Sequence, residues 1–318
     1  MSEDRRAPLD ATVARVLAGD LGAAAALMRA LDDELPGARA ALRAIYPQGG
    51  RAFVVGVTGS PGVGKSTLVS ALVALYRARG ERVGVVAVDP SSPFSGGALL
   101  GDRVRMSRHA VDPGVFIRSL ATRGHHGGLS RATSATVAVL DAAGFPVVLV
   151  ETVGAGQAEL DVADAADAVV VVTAPGLGDE VQALKAGLLE IADLLVVNKG
   201  DREGADRTLA DLTSMLALGA RPVPPLFKTS ATGEAGIAEL GTALELLRGR
   251  PAPERAARRR RQAARLVSAI AGEEARARIE TALADNRALA AIVDAVASRT
   301  VDPWSAADTL REVLPSRV

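Results

Sequence analysis

Apolar positions in the first part of the chain follow a helical period. Between residues 8 and 46 they recur at three- and four-residue spacing, which predicts short amphipathic helices. The apolar positions are Val13, Leu17, Leu21, Met28, Leu31 and Leu35. No residue of this segment suggests chemistry, so we expect it to pack against the rest of the molecule.

From Phe53 onward the pattern changes to short, nearly continuous apolar runs rich in β-branched residues. The runs are Phe53–Thr58, Val83–Val88, Val147–Val150, Ala168–Thr173 and Leu194–Val197. Such runs are typical of strands buried on both faces of a parallel sheet. Helical stretches separate them, so we predict right-handed βαβ units in a doubly wound, mostly parallel α/β domain.

After Gly249 the composition shifts again. Residues 250–253, Arg-Pro-Ala-Pro, read as a linker, and apolar stripes beyond them predict a helical arm. The predicted division is therefore a helical segment over 1–50, the α/β domain over 51–250 and a C-terminal helical arm over 251–318 that packs on a second subunit. The run Arg258–Arg261 lacks interleaved aromatic residues, so we interpret it as a solvated helix face and expect no nucleic-acid partner.

Composition excludes several classes of protein. The chain has 318 residues, 37 basic and 37 acidic side chains and no cysteine. A net charge of zero gives no overall attraction to nucleic acid or an anionic membrane, and the lack of cysteine excludes disulfides and thiolate metal sites. The polar N-terminus and the absence of a long apolar run predict a cytoplasmic protein with no membrane partner.

One segment carries a strong phosphate-binding signature. It fits the pattern G-x-x-x-x-G-K-[ST] between a predicted strand and a predicted helix. Its residues are Gly59, Ser60, Pro61, Gly62, Val63, Gly64, Lys65 and Ser66. The next residue, Thr67, is also expected to contact the nucleotide. Backbone N–H groups of such a loop and the helix N-terminus face phosphate oxygens. Lys65 is expected to reach the β- and γ-phosphates and the Ser66 hydroxyl to bind Mg²⁺.

A second motif, Asn198-Lys199-Gly200-Asp201, follows the strand 194–197 and predicts the base. The Asp201 carboxylate can accept from N1–H and the exocyclic amine of guanine, whereas adenine would leave it unpaired. Lys199 would cover the base and Asn198 would brace neighbouring loops. Ser230 and Ala231 are expected to offer a backbone N–H to the guanine oxygen.

Acidic residues follow other predicted strands. Glu151 ends one of them, Gly154 is placed to sense the γ-phosphate, and Gln157 lies in the same loop. Asp89 and Asp102 are further candidates for binding Mg²⁺ or positioning water. For each acid, a helix cap or a surface ion pair is the alternative.

At this point the motifs resemble a known family, the GTPases that accompany adenosylcobalamin-dependent acyl-CoA mutases, chiefly methylmalonyl-CoA mutase. An older name for them is lysine/arginine/ornithine transport ATPases or kinases. The resemblance extends from about residue 10 to 312. It rests on 59–66, 88–92, 100–106, 116–125, 151–157, 178–185, 198–201 and 302–308.

The resemblance implies a homodimeric, cytoplasmic P-loop GTPase with a C-terminal dimerisation arm, which gates cofactor loading and protects the mutase. It implies slow hydrolysis that the partner accelerates, with Asp89, Asp102 and Glu151 around Mg²⁺. Gln157 would lie in a second switch and Lys185, one of only four lysines in the chain, in a third. A cobalamin adenosyltransferase is a possible further partner. The chain lacks the Asp-x-His-x-x-Gly loop of cobalamin carriers, so we expect no cobalamin site.

Three other functions compete with this one. Residues 95–97, Ser-Gly-Gly, resemble a transporter ATPase signature, but they precede Glu151 by some 55 residues instead of a few. GTPases that insert metal ions usually carry cysteine or histidine clusters, and this chain has only His109, His125 and His126. A passive nucleotide-binding scaffold would not need acids at several strand ends.

Overall fold

The structure is a computed structural model that describes residues 3–89, 107–109, 111–121, 128–152, 158–176, 186–217 and 223–313. Within these residues, seven strands form one sheet in which every pairing is parallel. The strands are β1 (Phe53–Thr58), β2 (Val83–Asp89), β3 (Val115–Ala121), β4 (Val147–Thr152), β5 (Ala168–Thr173), β6 (Leu194–Val197) and β7 (Leu226–Lys228). This architecture confirms the predicted doubly wound α/β fold.

Helices precede, alternate with and follow these strands. Before the sheet come α1 (Glu3–Leu17), α2 (Leu21–Asp32) and α3 (Ala38–Ile45). Between strands lie α4 (Lys65–Ala78), α5 (Gly128–Ala142), α6 (Ala158–Ala165), α7 (Ala186–Ile191) and α8 (Ala205–Ala217). After the sheet come α9 (Ile237–Arg248), α10 (Ala252–Asp285), α11 (Arg287–Ala297) and α12 (Pro303–Val313).

The order of the strands across the sheet is β3-β2-β4-β1-β5-β6-β7. The five strands predicted from apolar runs are the five central ones, where both faces are covered. The two strands that the pattern did not predict, β3 and β7, are the two edges. Edge strands carry polar residues, such as Arg118 in β3 and Lys228 in β7, which interrupt the apolar run.

Alternate residues of each central strand supply two cores on opposite faces of the sheet. One face packs Val54 and Val148 with buried residues of α2 and α3, among them Met28 and Ile45. The other face packs Val55 with α4 and α9. The predicted packing role of the N-terminal helices is consistent with this burial.

Contacts divide the chain into two compact units, Met1–Leu266 and Val267–Val318. The first holds the whole sheet and the first turns of α10. The second consists of the rest of α10 with α11 and α12, in which Leu289 and Ala306 are buried. The three-part division into 1–50, 51–250 and 251–318 stays a prediction. No helix within the described ranges is both long and apolar enough to cross a membrane.

Candidate functional site at the carboxyl end of the sheet

The glycine-rich loop turns sharply out of β1 into α4. Gly59 has a φ of 137°, Gly62 of 82° and Gly64 of 93°, which are left-handed conformations that glycine adopts without strain. A Cβ at Gly59 would collide with the carbonyl oxygen of Val172 in β5. Glycine is therefore required here both by the turn and by the close approach of two backbones.

Lys65, the first residue of α4, is buried at 6% exposure. Its Nζ donates hydrogen bonds to the carbonyl oxygens of Gly59 at 2.6 Å and Ser60 at 3.0 Å. Burial lowers the pKa of Lys65, while the charges of Glu151 and Glu159 act in the opposite direction. The ammonium thus lies inside the loop that the sequence assigns to phosphate.

Ser66 and Glu151 meet at the start of α4 and the end of β4. The Ser66 hydroxyl donates to Glu151 Oε1 at 2.5 Å, and Glu151 is only 1% exposed. A hydroxyl and a carboxylate at one strand end are hard oxygen donors, which suit Mg²⁺ when substrate phosphates and water complete its shell. These two residues therefore fit the predicted metal.

Asn198 connects the second motif to the first. It is 2% exposed, and its Nδ2 donates to the carbonyl oxygen of Val63 at 3.0 Å and of Gly64 at 3.4 Å. Its Oδ1 accepts from Thr229 Oγ1 at 3.1 Å and from the Ala231 backbone N–H at 3.2 Å. Both ends of this amide are therefore used to hold three loops together.

Lys199 and Asp201 lie beside Asn198 on the surface. Lys199 has a φ of 56°, unusual for a residue with a side chain, and its Nζ donates to Gly62 O at 2.7 Å. Asp201 is exposed, and its Oδ1 accepts from Ser230 Oγ at 2.6 Å. This hydrogen bond is the main cause that lowers the pKa of Asp201, so the carboxylate is ionised and can accept from a base.

Ser230 and Ala231 lie in the turn after β7. The Ser230 backbone N–H donates to Ala235 O at 2.9 Å, and that of Ala231 donates to Asn198. Both N–H groups therefore have acceptors, and both residues are 7% exposed, so the N–H that serves the guanine oxygen stays a prediction. In the glycine-rich loop and the start of α4, Pro61 and Thr67 are exposed and Val63 is fully buried.

The remaining predicted site residues are not placed by the structure. Asp102, Gly154, Gln157 and Lys185 lie outside the described residues. Asp89 is the last residue of β2, but only its backbone is described.

Three buried polar residues of this site, Glu159, Thr58 and Thr152, were not assigned a role from sequence. Glu159, in the first turn of α6, is 5% exposed, and its charge favours the protonated form of Lys65. Thr152 Oγ1 donates to Thr58 Oγ1 at 3.0 Å, which ties the ends of β4 and β1 together. A polar residue ending an apolar strand was the available signal for Thr58 and Thr152.

Histidine, cysteine, aspartate and glutamate side chains do not gather in groups of three or more anywhere in the described ranges.

Comparison with known proteins identifies relatives over the whole length. The model of a family described as methylmalonyl Co-A mutase-associated GTPase MeaB matches residues 25–284. A protein of Pyrococcus horikoshii that is named as a GTPase is 44% identical over 322 residues, covering 98% of this chain and 99% of its own. The mouse protein named methylmalonic aciduria type A homolog, mitochondrial, is 40% identical over 195 residues, covering 59% of this chain and 47% of its own.

A solved structure has the same overall fold. It is titled as a LAO/AO transport system kinase, superposes with a TM-score of 0.73 and is 27% identical, with 98% of both chains covered. The similarity includes the α/β domain and the helices after it.

Proposed function

The chain belongs to the family of methylmalonyl-CoA mutase-associated GTPases, and we propose that it is the GTP-dependent chaperone of an adenosylcobalamin-dependent acyl-CoA mutase. In this proposal GTP binding and hydrolysis gate the loading of adenosylcobalamin and protect the mutase from inactivation. The fold and the relatives make the chain a GTP hydrolase. The partner, the gating and the cytoplasmic location are the proposed parts.

The observation that supports the proposal most is the link between the two motifs. Asn198 hydrogen-bonds the phosphate loop, and Lys199 reaches the same loop through Gly62 O. A base that rests against Lys199 and pairs with Asp201 would therefore place its phosphates along the glycine loop. A change at one end of the nucleotide can be transmitted to the other through these bonds.

The chain's own residues divide the hydrolysis step between them. Lys65 would neutralise charge that develops on the phosphates, and burial increases the strength of that interaction. Ser66 and Glu151 would hold Mg²⁺, which supplies electrostatic stabilisation of the phosphate oxygens when bound. Asp89 and Asp102 are proposed to complete that region, Gln157 to position the attacking water and Gly154 to contact the γ-phosphate.

Guanine specificity is the first test. Wild-type protein should bind GTP and GDP, and ATP should not compete. Asp201→Asn should weaken the binding of GTP and strengthen that of xanthosine triphosphate, because the C2 oxygen of xanthine needs a hydrogen-bond donor. Equal affinity of the wild type for ATP and GTP would exclude the proposed base contact.

The partner is tested by hydrolysis with and without a mutase. We expect slow turnover alone and faster turnover with methylmalonyl-CoA mutase, together with a complex on size-exclusion chromatography in a GTP-analogue form. Fast turnover of the isolated chain, or no complex and no stimulation, would contradict a mutase chaperone. Capture on the immobilised analogue form, followed by mass spectrometry, would then identify the partner.

Lys185 separates intrinsic from stimulated hydrolysis. If it delivers an ammonium to the phosphates only in the complex, Lys185→Ala should leave intrinsic hydrolysis nearly unchanged. Mutase-stimulated hydrolysis should fall about 10-fold, or about 1.4 kcal/mol of barrier. Stimulation that survives the substitution would return Lys185 to an ordinary surface lysine.

The dimer is proposed from the second unit. Within it Val267, Val293 and Trp304 are 66%, 49% and 81% exposed, which is unusual for large apolar side chains. A second copy that covers them would bury this surface. Light scattering should give twice the chain mass, and Trp304→Glu should shift the mass toward the monomer.

A further inference from the structure

We propose that a cavity at the amino end of the sheet binds an anion that carries two or more phosphate groups. The cavity has a volume of about 720 Å³ and lies within the first compact unit. We call it the arginine pocket. Its walls are the segment before β1, Asp167 before β5, the end of α9 and the first turns of α10.

The arginine pocket is separate from the nucleotide site. Phe53, the first residue of β1, lines it, whereas the glycine loop begins at Gly59 after the last residue of β1. A strand of six residues is about 20 Å long. The two sites are therefore at opposite ends of the same strand.

Seven arginines line the pocket, against only two carboxylates, Asp167 and Glu254. Arg51 precedes β1, Arg248 and Arg250 come from the end of α9 and the link to α10, and four more belong to the first turns of α10. The chain as a whole is neutral, with 37 residues of each sign. Carboxylates outside the lining neutralise part of this charge, because Glu81 pairs with Arg248 and Asp193 pairs with Arg250 and Arg258. The remaining arginines give the cavity a local excess of positive charge.

Part of this set is held rigidly by the protein. Asp193 Oδ1 accepts from Arg250 Nη2 at 2.8 Å and from Arg258 Nη1 at 3.0 Å. Arg258 Nε also donates to Ala166 O at 3.1 Å, and Arg259 Nη1 to Gly50 O at 2.7 Å. Guanidinium groups already fixed in this way lose little side-chain entropy when they contact a ligand.

Three further arginines are in excess over these pairs. Among the described residues, Arg255 and Arg261 form no ion pair, and Arg51 Nη2 donates to a carbonyl oxygen, that of Gln48, at 3.0 Å. All three are exposed. They leave donors and charge available for an anion.

The ligand class follows from the donor chemistry and the size. A guanidinium presents a planar pair of donors that matches two oxygens of a phosphate. A volume of about 720 Å³ is in the range of small-molecule sites and is larger than a single phosphate needs. Three guanidiniums in excess suit a di- or triphosphate group.

The test uses the full chain with GDP and Mg²⁺ in excess, so that the nucleotide site is filled, and inorganic tripolyphosphate as the probe in calorimetry. We expect one equivalent to bind per chain. Citrate, a tricarboxylate that is more compact and carries less negative charge than tripolyphosphate, should bind at least about 10-fold more weakly. No binding, displacement of GDP by the probe, or equal affinity for citrate would overturn the proposal.

A matched pair of double variants locates the binding. Arg255→Ala with Arg261→Ala should weaken tripolyphosphate by at least about 10-fold. Arg260→Ala with Arg276→Ala removes the same charge from the same helix outside the pocket lining and should weaken it less than about 2-fold. Equal losses in the two double variants would mean diffuse charge attraction and would overturn the site.

Two checks keep the result independent of folding. Arg51→Gln, on a different segment, should also weaken the binding of tripolyphosphate. GTP hydrolysis and circular dichroism should stay at wild-type values in every variant.

A single-stranded oligonucleotide tests the other class of ligand. If it binds more tightly than tripolyphosphate and displaces it, the surface belongs to nucleic acid, which would contradict a small phosphorylated ligand.

Discussion

The two ends of the parallel sheet present positive charge in different ways. At the carboxyl end one buried lysine, Lys65, lies inside a loop whose glycines turn backbone N–H groups inward. At the amino end seven arginines from three separate segments line one cavity, and several are exposed. The first arrangement depends on backbone conformation and a single charge, and the second on many side chains that share carboxylates.

This difference separates what each end can do. A buried ammonium, together with a carboxylate that would hold Mg²⁺, can stabilise negative charge that develops on phosphates. Guanidinium groups spread over a cavity can bind an anion, but they do not concentrate positive charge at one reacting bond. We therefore expect single substitutions to lower catalytic activity strongly at the carboxyl end, and to affect stability and ligand affinity at the amino end.

The largest expected effect is at Lys65. Lys65→Ala should lower kcat for GTP by about 10²- to 10³-fold, because a preorganised charge is removed from the phosphates. Phosphate release measures it. Arg207→Ala removes an exposed charge, 87% accessible, and should leave kcat unchanged. A Lys65→Ala enzyme within a few fold of wild type would remove the functional contrast between the two ends.

The next effect is on stability at the amino end. Asp193 has 10% of its side chain exposed and pairs with Arg250 and Arg258. Asp193→Ala leaves two partly buried guanidiniums without their carboxylate, so the free energy of unfolding should fall by about 2–3 kcal/mol. Urea unfolding measures it.

The control for Asp193 is Asp211→Ala, which breaks the exposed pair with Arg207 and should cost less than about 0.5 kcal/mol. Nucleotide affinity of Asp193→Ala should stay at the wild-type value. An equally small loss in both variants would mean that the arginine pocket is not held by Asp193.

The carboxyl end could be predicted from sequence because its information is contiguous. The limits of β1, β5 and β6 coincide with apolar runs, and both motifs directly follow strands. Parallel strands bring these ends to one edge, so Lys65, Glu151 and Asn198 could be placed together without any long-range contact being known. Glu159 was missed because its burial depends on how α6 packs.

The amino end could not be predicted in the same way. Arg258–Arg261 was expected to be a solvated helix face. The structure corrects this for Arg258, whose side chain is 22% exposed and contacts Asp193 and Ala166. Arg259 stays exposed, although its Nη1 donates to Gly50 O. These partners are 65 to 209 residues away in sequence, so no local pattern indicates them. A stretch rich in arginine looks the same whether it faces solvent or lines a cavity.

A smaller effect concerns salt. Raising the salt concentration from about 0.05 M to about 0.3 M should weaken tripolyphosphate at the arginine pocket by about 10-fold, because its charges are exposed and screened. The affinity for GDP at the carboxyl end should fall by less than about 3-fold, since buried groups and backbone donors hold its phosphates. Calorimetry at both concentrations measures the difference, and equal salt dependence would contradict the contrast in burial.

The smallest expected effect is a pH dependence of the free energy of unfolding. It arises from His109, which contacts α4, the helix that runs between the two ends of the sheet. Nε2 of His109 lies 2.9 Å from Ser70 Oγ and 3.1 Å from Ser70 O, in a residue that is 9% exposed. Burial, followed by the charge of Arg108, lowers the pKa of His109 below 6.5. The hydrogen bond with the Ser70 backbone and then the charge of Asp112, itself paired with Arg77, oppose this only partly.

The direction of the pH effect follows from that shift. Between the lowered pKa of the folded state and 6.5, the unfolded chain binds more protons, so the free energy of unfolding falls as the pH drops through this window. Above 6.5 the contribution is complete. Asp112 acts in a separate window, because Arg77 lowers its pKa below 3.8 and its contribution is lost only in stronger acid. His109→Gln can still hydrogen-bond Ser70 but does not titrate, so urea unfolding at pH 7.5 and 5.5 should show a smaller acid loss in the variant. If the wild type and the variant lose the same free energy of unfolding on acidification, protonation of His109 is not coupled to folding.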